Sequence, residues 1–144
     1  LLGEVDFAII PVENAIIGPV LVADAALQAV GDRVRVRAEV RVPVHLCLLA
    51  VRGTAIEDVR RVLSHPAALS QCRLFLARHG WMEPVPHADT AGAAQEVAAS
   101  TDRTLAAIAS DAAAVRYGLE ILARFIEDMP ANWTRFVVVS RADD

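Results

Sequence analysis

Apolar and polar positions along this chain switch between a period near two and a period near 3.6, laying out strand, turn and helix in repetition. Residues 5–12 (Val-Asp-Phe-Ala-Ile-Ile-Pro-Val) are a short apolar run that ends at Glu13-Asn14, which predicts a strand buried in a covered sheet. Gly18 and Pro19 break the chain, and the Ala- and Leu-rich stretch over 20–30 predicts a helix stopped by Gly31. Over 34–44 the alternation is strict: Val34, Val36, Ala38, Val40 and Val42 share one face, and Arg35, Arg37, Glu39 and Arg41 the other. That predicts a half-exposed strand, with Glu39 marking the arginine row as a solvated face rather than a basic patch. Past Pro43, residues 44–51 turn apolar apart from His45, as expected where the chain crosses between lobes into a second buried strand.

Thr54-Ala55-Ile56-Glu57 has the spacing of a capping box and predicts a short helix carrying Ile56 and Val59 inward. Residues 61–64 read as a strand. Ser64-His65-Pro66 then offers two caps and a proline before a helix that runs to about His79 and ends at Gly80. Asp89-Thr90 caps a helix over 91–98, 105–109 is a strand, Ser110-Asp111 opens a helix closed by Tyr117-Gly118, and 121–126 is extended. This order implies an α/β fold with a mainly parallel sheet, or two of them, and helices on both faces. One lobe is expected over 38–130, with 1–37 and 131–144 forming the other.

Ile126-Glu127-Asp128-Met129-Pro130 interrupts this regularity, and the polar cluster Asn132, Thr134 and Arg135 follows at the mouth of an apolar, β-branched strand. Strand ends border loops and crevices, so polar groups there are candidates for ligand contact.

Composition narrows the partners. The chain has 144 residues, 55% of them hydrophobic, and a net charge of −4, with a pI near 5.5 and a mean hydropathy of +0.39. It is long enough to bury a core and lacks the positive field that nucleic acid or an anionic membrane surface requires. Cys47 and Cys72 sit in apolar segments without metal-ligand spacing, which fits a reducing cytoplasm and gives no zinc site. No apolar run has the length of a membrane span. The first residue is Leu1, so a preceding segment is expected to be missing.

Four motifs stand in order: Ile10-Pro11-Val12-Glu13-Asn14 with Gly18; Ser64-His65-Pro66 with Ala68-Leu69 and Gln71-Cys72; Ala106-Ala107-Ile108-Ala109-Ser110 with Tyr117-Gly118-Leu119; and Asp128, Asn132, Thr134-Arg135-Phe136. Together they resemble the prephenate dehydratases across nearly the whole chain. The resemblance implies a two-lobed fold similar to type II periplasmic binding proteins, with the substrate in the cleft between lobes. It also implies conversion of prephenate to phenylpyruvate in phenylalanine biosynthesis, without metal or cofactor.

That chemistry needs two carboxylates fixed, a donor at the departing ring hydroxyl, and water excluded; general acid help of this kind contributes about 10²–10⁴-fold. By the resemblance Thr134 is the donor, and Asn14, Ser64, Gln71 and Arg135 bind substrate. Taken as residues alone, each keeps a second reading. Thr134 is also a strand-starting threonine, Asn14 an Asx turn or cap, Ser64 an N-cap, and Gln71 a surface glutamine. Arg135 cannot face the same way as Thr134 in regular extended chain, and anchoring Asp128 or Glu127 is its alternative. His65 and Cys72 are read as structural, and Trp133 as packing.

Three positions depart from the family pattern: Ala15 where serine is usual, Ile17 where an acid is common, and Ala67 where glutamine often follows the proline. The family's N-terminal lobe-one segment and its phenylalanine-binding ACT domain have no match here, so the first lobe is expected to be incomplete and a homo-oligomer to cover it. Two rivals stand beside the dehydratase: a non-aromatising prephenate decarboxylase, and a non-catalytic lobe that binds a small anion.

Overall fold

Nine residues from Trp133 to Arg141, rich in β-branched side chains, form a strand with neighbours on both sides, and the first sheet is built around it. In the computed structural model, which describes residues 5–142, this strand (β9) lies between β1 (Phe7–Asn14) and β3 (Val34–Pro43), with β2 (Gly18–Pro19) outside β1. All pairs in this sheet are antiparallel, against the parallel arrangement expected. Two bulges interrupt it. Val12 is the extra residue of β1, between Pro11 paired with Phe136 and Glu13 paired with Arg135; Arg37 is the extra residue of β3.

Helix α1 (Leu21–Val30) covers one face of this sheet, packing Ala23 and Leu27 on Ala8, Ile10, Val12, Val137 and Val139. Gly31 ends it at φ +50, a conformation that costs a residue with a side chain more than it costs glycine. The opposite face is open: Ile9, Val40, Val42, Phe136 and Val138 line a shallow apolar cavity of about 210 Å³. β3 is therefore not half-buried. The bulge at Arg37 breaks its alternation, and Val36, Val40 and Val42 are all exposed.

The chain divides into two units, residues 1–44 with 131–144, and His45–Pro130. The boundary falls at Val44/His45 rather than at 38, because β3 stays paired to β9 as far as Pro43.

The second unit holds a five-stranded sheet in the order β6-β5-β7-β4-β8 (β6 Glu83–Pro86, β5 Arg61–Ser64, β7 Leu105–Ala109, β4 Cys47–Ala50, β8 Glu120–Ala123). β5, β6 and β7 are parallel, while β4 runs against both its neighbours. Only residues 51–60, with a single 3₁₀ turn at Ile56–Asp58, join β4 to β5; a parallel return needs a longer crossover. The expected capping box does not form there, since Ala55 takes the cap position without a side-chain bond and Thr54 Oγ1 is buried with no partner among the described residues.

Strand residues in this unit alternate between two cores. Leu48, Ala50, Val62, Ala106 and Ile108 pack under α2 (Pro66–Gln71) and α3 (Arg73–Arg78), through Leu69, Cys72 and Phe75. Cys47, Leu49, Leu63, Ala107 and Ala109 face α4 (Thr90–Ala99) and α5 (Asp111–Tyr117), through Ala93, Ala94, Val97, Ala113 and Ala114. The alanines of both helices let backbone approach sheet closely. Asp89 and Ser110 cap α4 and α5 as the sequence implied, through Gly92 N–H and Ala113 N–H. The single helix expected from 66 to His79 is instead two, broken at Cys72.

Leu49 is fully buried in the middle of this sheet. Leu49→Ala should cost about 3–4 kcal/mol in urea unfolding, and Val115→Ala, on an exposed helix position, less than about 0.5 kcal/mol.

Candidate functional site

Asn14 closes β1 opposite Thr134, the second residue of β9. Its side-chain oxygen accepts from the N–H groups of Ile16 (3.0 Å) and Ile17 (3.1 Å), the Asx turn foreseen as its second reading. Its amide nitrogen reaches three acceptors at 3.1 Å each: Asn132 Oδ1, the Trp133 carbonyl and Thr134 Oγ1. Asn132 is almost fully buried, and its carbonyl accepts from Val44 N–H at 2.9 Å. Thr134 is half-buried, and among the described residues its hydroxyl proton meets no acceptor. The Arg41 guanidinium covers the Trp133 ring at 4.5 Å.

Arg135 points away from this group. It pairs through Nε with Glu13 (3.1 Å), its partner on β1, and through Nη1 with Glu39 (3.2 Å), diagonal to it on β3, and the hydrogen bond to Glu13 is the main influence holding its pKa above the ordinary value. Antiparallel partners share a face while successive residues alternate, so Thr134 goes with Asn14 and Arg135 with Glu13. The alternative anchor expected for Arg135 is thus corrected: it is neither Asp128 nor Glu127.

Ser64 and Gln71 belong to the other unit. Ser64 is fully buried at the end of β5, and its hydroxyl donates to the Ile108 carbonyl of β7 at 2.6 Å. It does not cap α2; His65 does, with Nδ1 accepting from Ala67 N–H at 3.0 Å. Gln71 ends α2, and its carbonyl accepts from Asp128 N–H at 2.6 Å.

The acidic pair at 127–128 holds backbone. The Asp128 carboxylate accepts from Leu74 N–H at 3.0 Å, in the first turn of α3, so the helix break at Cys72 is braced by Asp128 from both sides. Glu127 is buried, with one oxygen 2.8 Å from His45 Nδ1 and the other accepting from Leu46 N–H at 2.9 Å. Burial is the largest influence on its pKa and pushes it up, but the bonds from His45 and from backbone N–H groups together hold it below the ordinary value. Cys72 is the opposite case: burial first, then the Asp128 and Glu127 charges, push its thiol up to about 12, so it stays protonated and inert. Among the described residues no three His, Cys, Asp or Glu side chains gather as a metal site, and no helix is long and apolar enough to cross a membrane.

The sequence therefore led to Asn14 and Thr134, which the fold brings together. It gave no role to Asn132, although that residue stood in the polar cluster, nor to the Glu13 and Glu39 carboxylates that hold Arg135.

Comparison with known proteins puts these residues in a family. A sequence model of the family "Prephenate dehydratase" matches residues 2–144. Arogenate dehydratase 1 of Petunia hybrida is 45% identical over 140 residues, which cover 94% of this chain and 32% of that protein. Among solved structures, the prephenate dehydratase of Arthrobacter aurescens in complex with L-Phe aligns with a TM-score of 0.84 at 35% identity, over 97% of this chain and 46% of that one. GqqA, described as a novel type of quorum quenching acylase, aligns with a TM-score of 0.84 at 38% identity, over 96% and 49%. The fold alone is shared with the methionine binding protein MetQ, at 12% identity and a TM-score of 0.52 over 99% of this chain and 65% of that one. The chain thus spans about a third of the plant relative and under half of the two similar solved chains.

Glu127 supplies a pH test. Its folded pKa is depressed, so its contribution to stability is present above the ordinary value of 4.5 and is lost as pH falls through the folded value. Glu127→Gln should cost about 2 kcal/mol at pH 7, and the gap between urea curves of variant and wild type should close as pH falls through the folded value.

Proposed function

We propose, from the premise that this chain belongs to the prephenate dehydratase family, that its reaction is the decarboxylating dehydration of prephenate to phenylpyruvate in L-phenylalanine biosynthesis. In that reaction the bond to the ring carboxylate breaks and its electron pair enters the ring. The C–O bond opposite breaks, the hydroxyl takes a proton and leaves as water, and carbon dioxide departs as the ring becomes aromatic. One proton is consumed, delivered to the departing oxygen through the Thr134 hydroxyl, which regains a proton from solvent.

The observation that carries this reading is the state of the Thr134 hydroxyl: half-buried at a strand mouth, accepting from Asn14, with its own proton uncommitted among the described residues. A fixed donor placed where charge develops on a leaving oxygen stabilises the transition state more than the ground state. A hydroxyl suits the task despite its high pKa, because hydrogen bonding alone lowers the barrier to C–O cleavage. Asn14 serves by holding Thr134. Gln71 is retained as a substrate contact. Ser64 and Arg135 act through what they fix: Ser64 ties β5 to β7, and Arg135 binds β1 and β3 to β9 through Glu13 and Glu39.

The similarity to a plant arogenate dehydratase supports a second substrate reading, in which the amino acid analogue of prephenate loses the same two groups. The free, buried state of Cys47 and Cys72 supports the cytoplasm as the working compartment. The open apolar face at Ile9, Val40, Val42, Phe136 and Val138 supports a homo-oligomer.

Thr134→Val keeps volume and strand propensity and removes the proton. It should lower kcat with prephenate by about 10²–10³-fold, with Tm unchanged, while Thr134→Ser keeps most of the rate. Alkaline absorbance of phenylpyruvate reads the product, and equal rates for wild type and Thr134→Val would remove Thr134 from the mechanism. Arogenate assayed alongside decides between the substrates. Sedimentation velocity should show an assembly that Val40→Asp weakens.

A further inference from the structure

The orientation of the Asn14 amide is dictated by its surroundings. Ile16 N–H and Ile17 N–H can only donate, so the end of Asn14 that faces them is the oxygen. The nitrogen end is thereby turned toward Asn132 Oδ1, the Trp133 carbonyl and Thr134 Oγ1, all at 3.1 Å. A side-chain NH₂ has two protons and no lone pair available to accept. Thr134 can therefore only accept from Asn14, and its proton must leave on the other side of the oxygen.

Asn132 decides how firmly that holds. It is 3% exposed, and its Oδ1 engages the same nitrogen that serves Thr134. An amide whose plane is fixed by two N–H donors at one end and a buried carbonyl at the other cannot rotate away from Thr134. A hydroxyl that accepts a hydrogen bond also becomes a better donor, because successive bonds polarise one another.

We propose that Asn132 is a positioning residue that acts through Asn14, the pair fixing the Thr134 hydroxyl as acceptor on its inner side and hence as proton donor on its outer side. The consequence for the reaction rests on the dehydratase reading; the polarity of the bond does not.

Three variants test it. Asn132→Leu removes the carbonyl and should lower kcat for prephenate about tenfold with KM changed less than about twofold, the loss of one oriented hydrogen bond. Asn132→Asp keeps an oxygen facing Asn14 and should restore kcat to within about threefold of wild type. Asn14→Asp keeps the two bonds to Ile16 and Ile17, loses those to Asn132 Oδ1 and the Trp133 carbonyl, which cannot donate, and reverses the one to Thr134, so that a carboxylate draws its proton inward; its kcat should fall about 10²-fold, below that of Asn132→Leu. Side-chain amide NMR gives a readout independent of turnover: the Asn14 NH₂ protons should exchange slowly in wild type and shift in both Asn132→Leu and Thr134→Val.

A folded Asn132→Leu with wild-type kcat, or Asn14 amide protons that respond to neither substitution, would overturn the proposal. If Asn132→Leu fails to fold, Asn14→Asp and the NMR comparison in Thr134→Val still decide. Should the wild type leave prephenate unchanged while the amide protons behave as described, the functional reading falls and the fixed hydroxyl stands.

Discussion

Antiparallel pairing of β9 with β1 and β3 is the constraint from which the rest of the first unit follows. β9 is contributed by the C-terminal part of the chain and its two neighbours by the N-terminal part, so that sheet closes only when segments 90 or more residues apart meet. The ladder sets which side chains share a face. It delivers Val137 and Val139 to the helix side, and it sets Thr134 beside Asn14 and Arg135 beside Glu13. Chemistry at the strand mouth is thus inherited from register, and register from the hydrophobic face that α1 must cover.

How much of this the sequence disclosed depends on whether local pattern or distant pairing decides an element. β5, β7 and α5 lie where predicted, because each is bounded by its own signals: a short apolar run, or a serine cap and a glycine in left-handed backbone. β6 left no trace, since a four-residue strand with two prolines keeps only two N–H donors for a ladder; it is tolerated as the outermost strand of its sheet. The break at Cys72 was hidden because the residue that braces it, Asp128, lies far along the chain. At the site, alternation was enough to separate Thr134 from Arg135, but not to find the carboxylates that hold the arginine. Those depend on which strands flank β9, and no local window contains that.

Fold and family leave room in the chemistry. Structures aligned at the same TM-score carry the descriptions of a prephenate dehydratase and of a quorum quenching acylase. Shared architecture therefore does not select the reaction. On the function proposed above, what narrows it is a small polar group: one hydroxyl, two amides and the directions their protons take. The acidic pair at 127–128, prominent in the sequence, is spent on backbone instead, and the thiol nearest to it is held in its neutral form.

The extra residue at Val12 has an outcome that reaches the proton itself. Were Val12 taken into the ladder opposite Arg135 instead, Glu13 rather than Asn14 would stand across from Thr134, since Pro11 is matched to Phe136 and each step along one strand is a step back along the other. A carboxylate in that place would draw the hydroxyl's hydrogen inward, so the bulge, as much as the identity of residue 14, sets which side chain meets Thr134. Loss of Val12 itself would straighten the strand and leave Glu13 and Asn14 opposite the same partners, because the pairs on either side of it are already consecutive on β9.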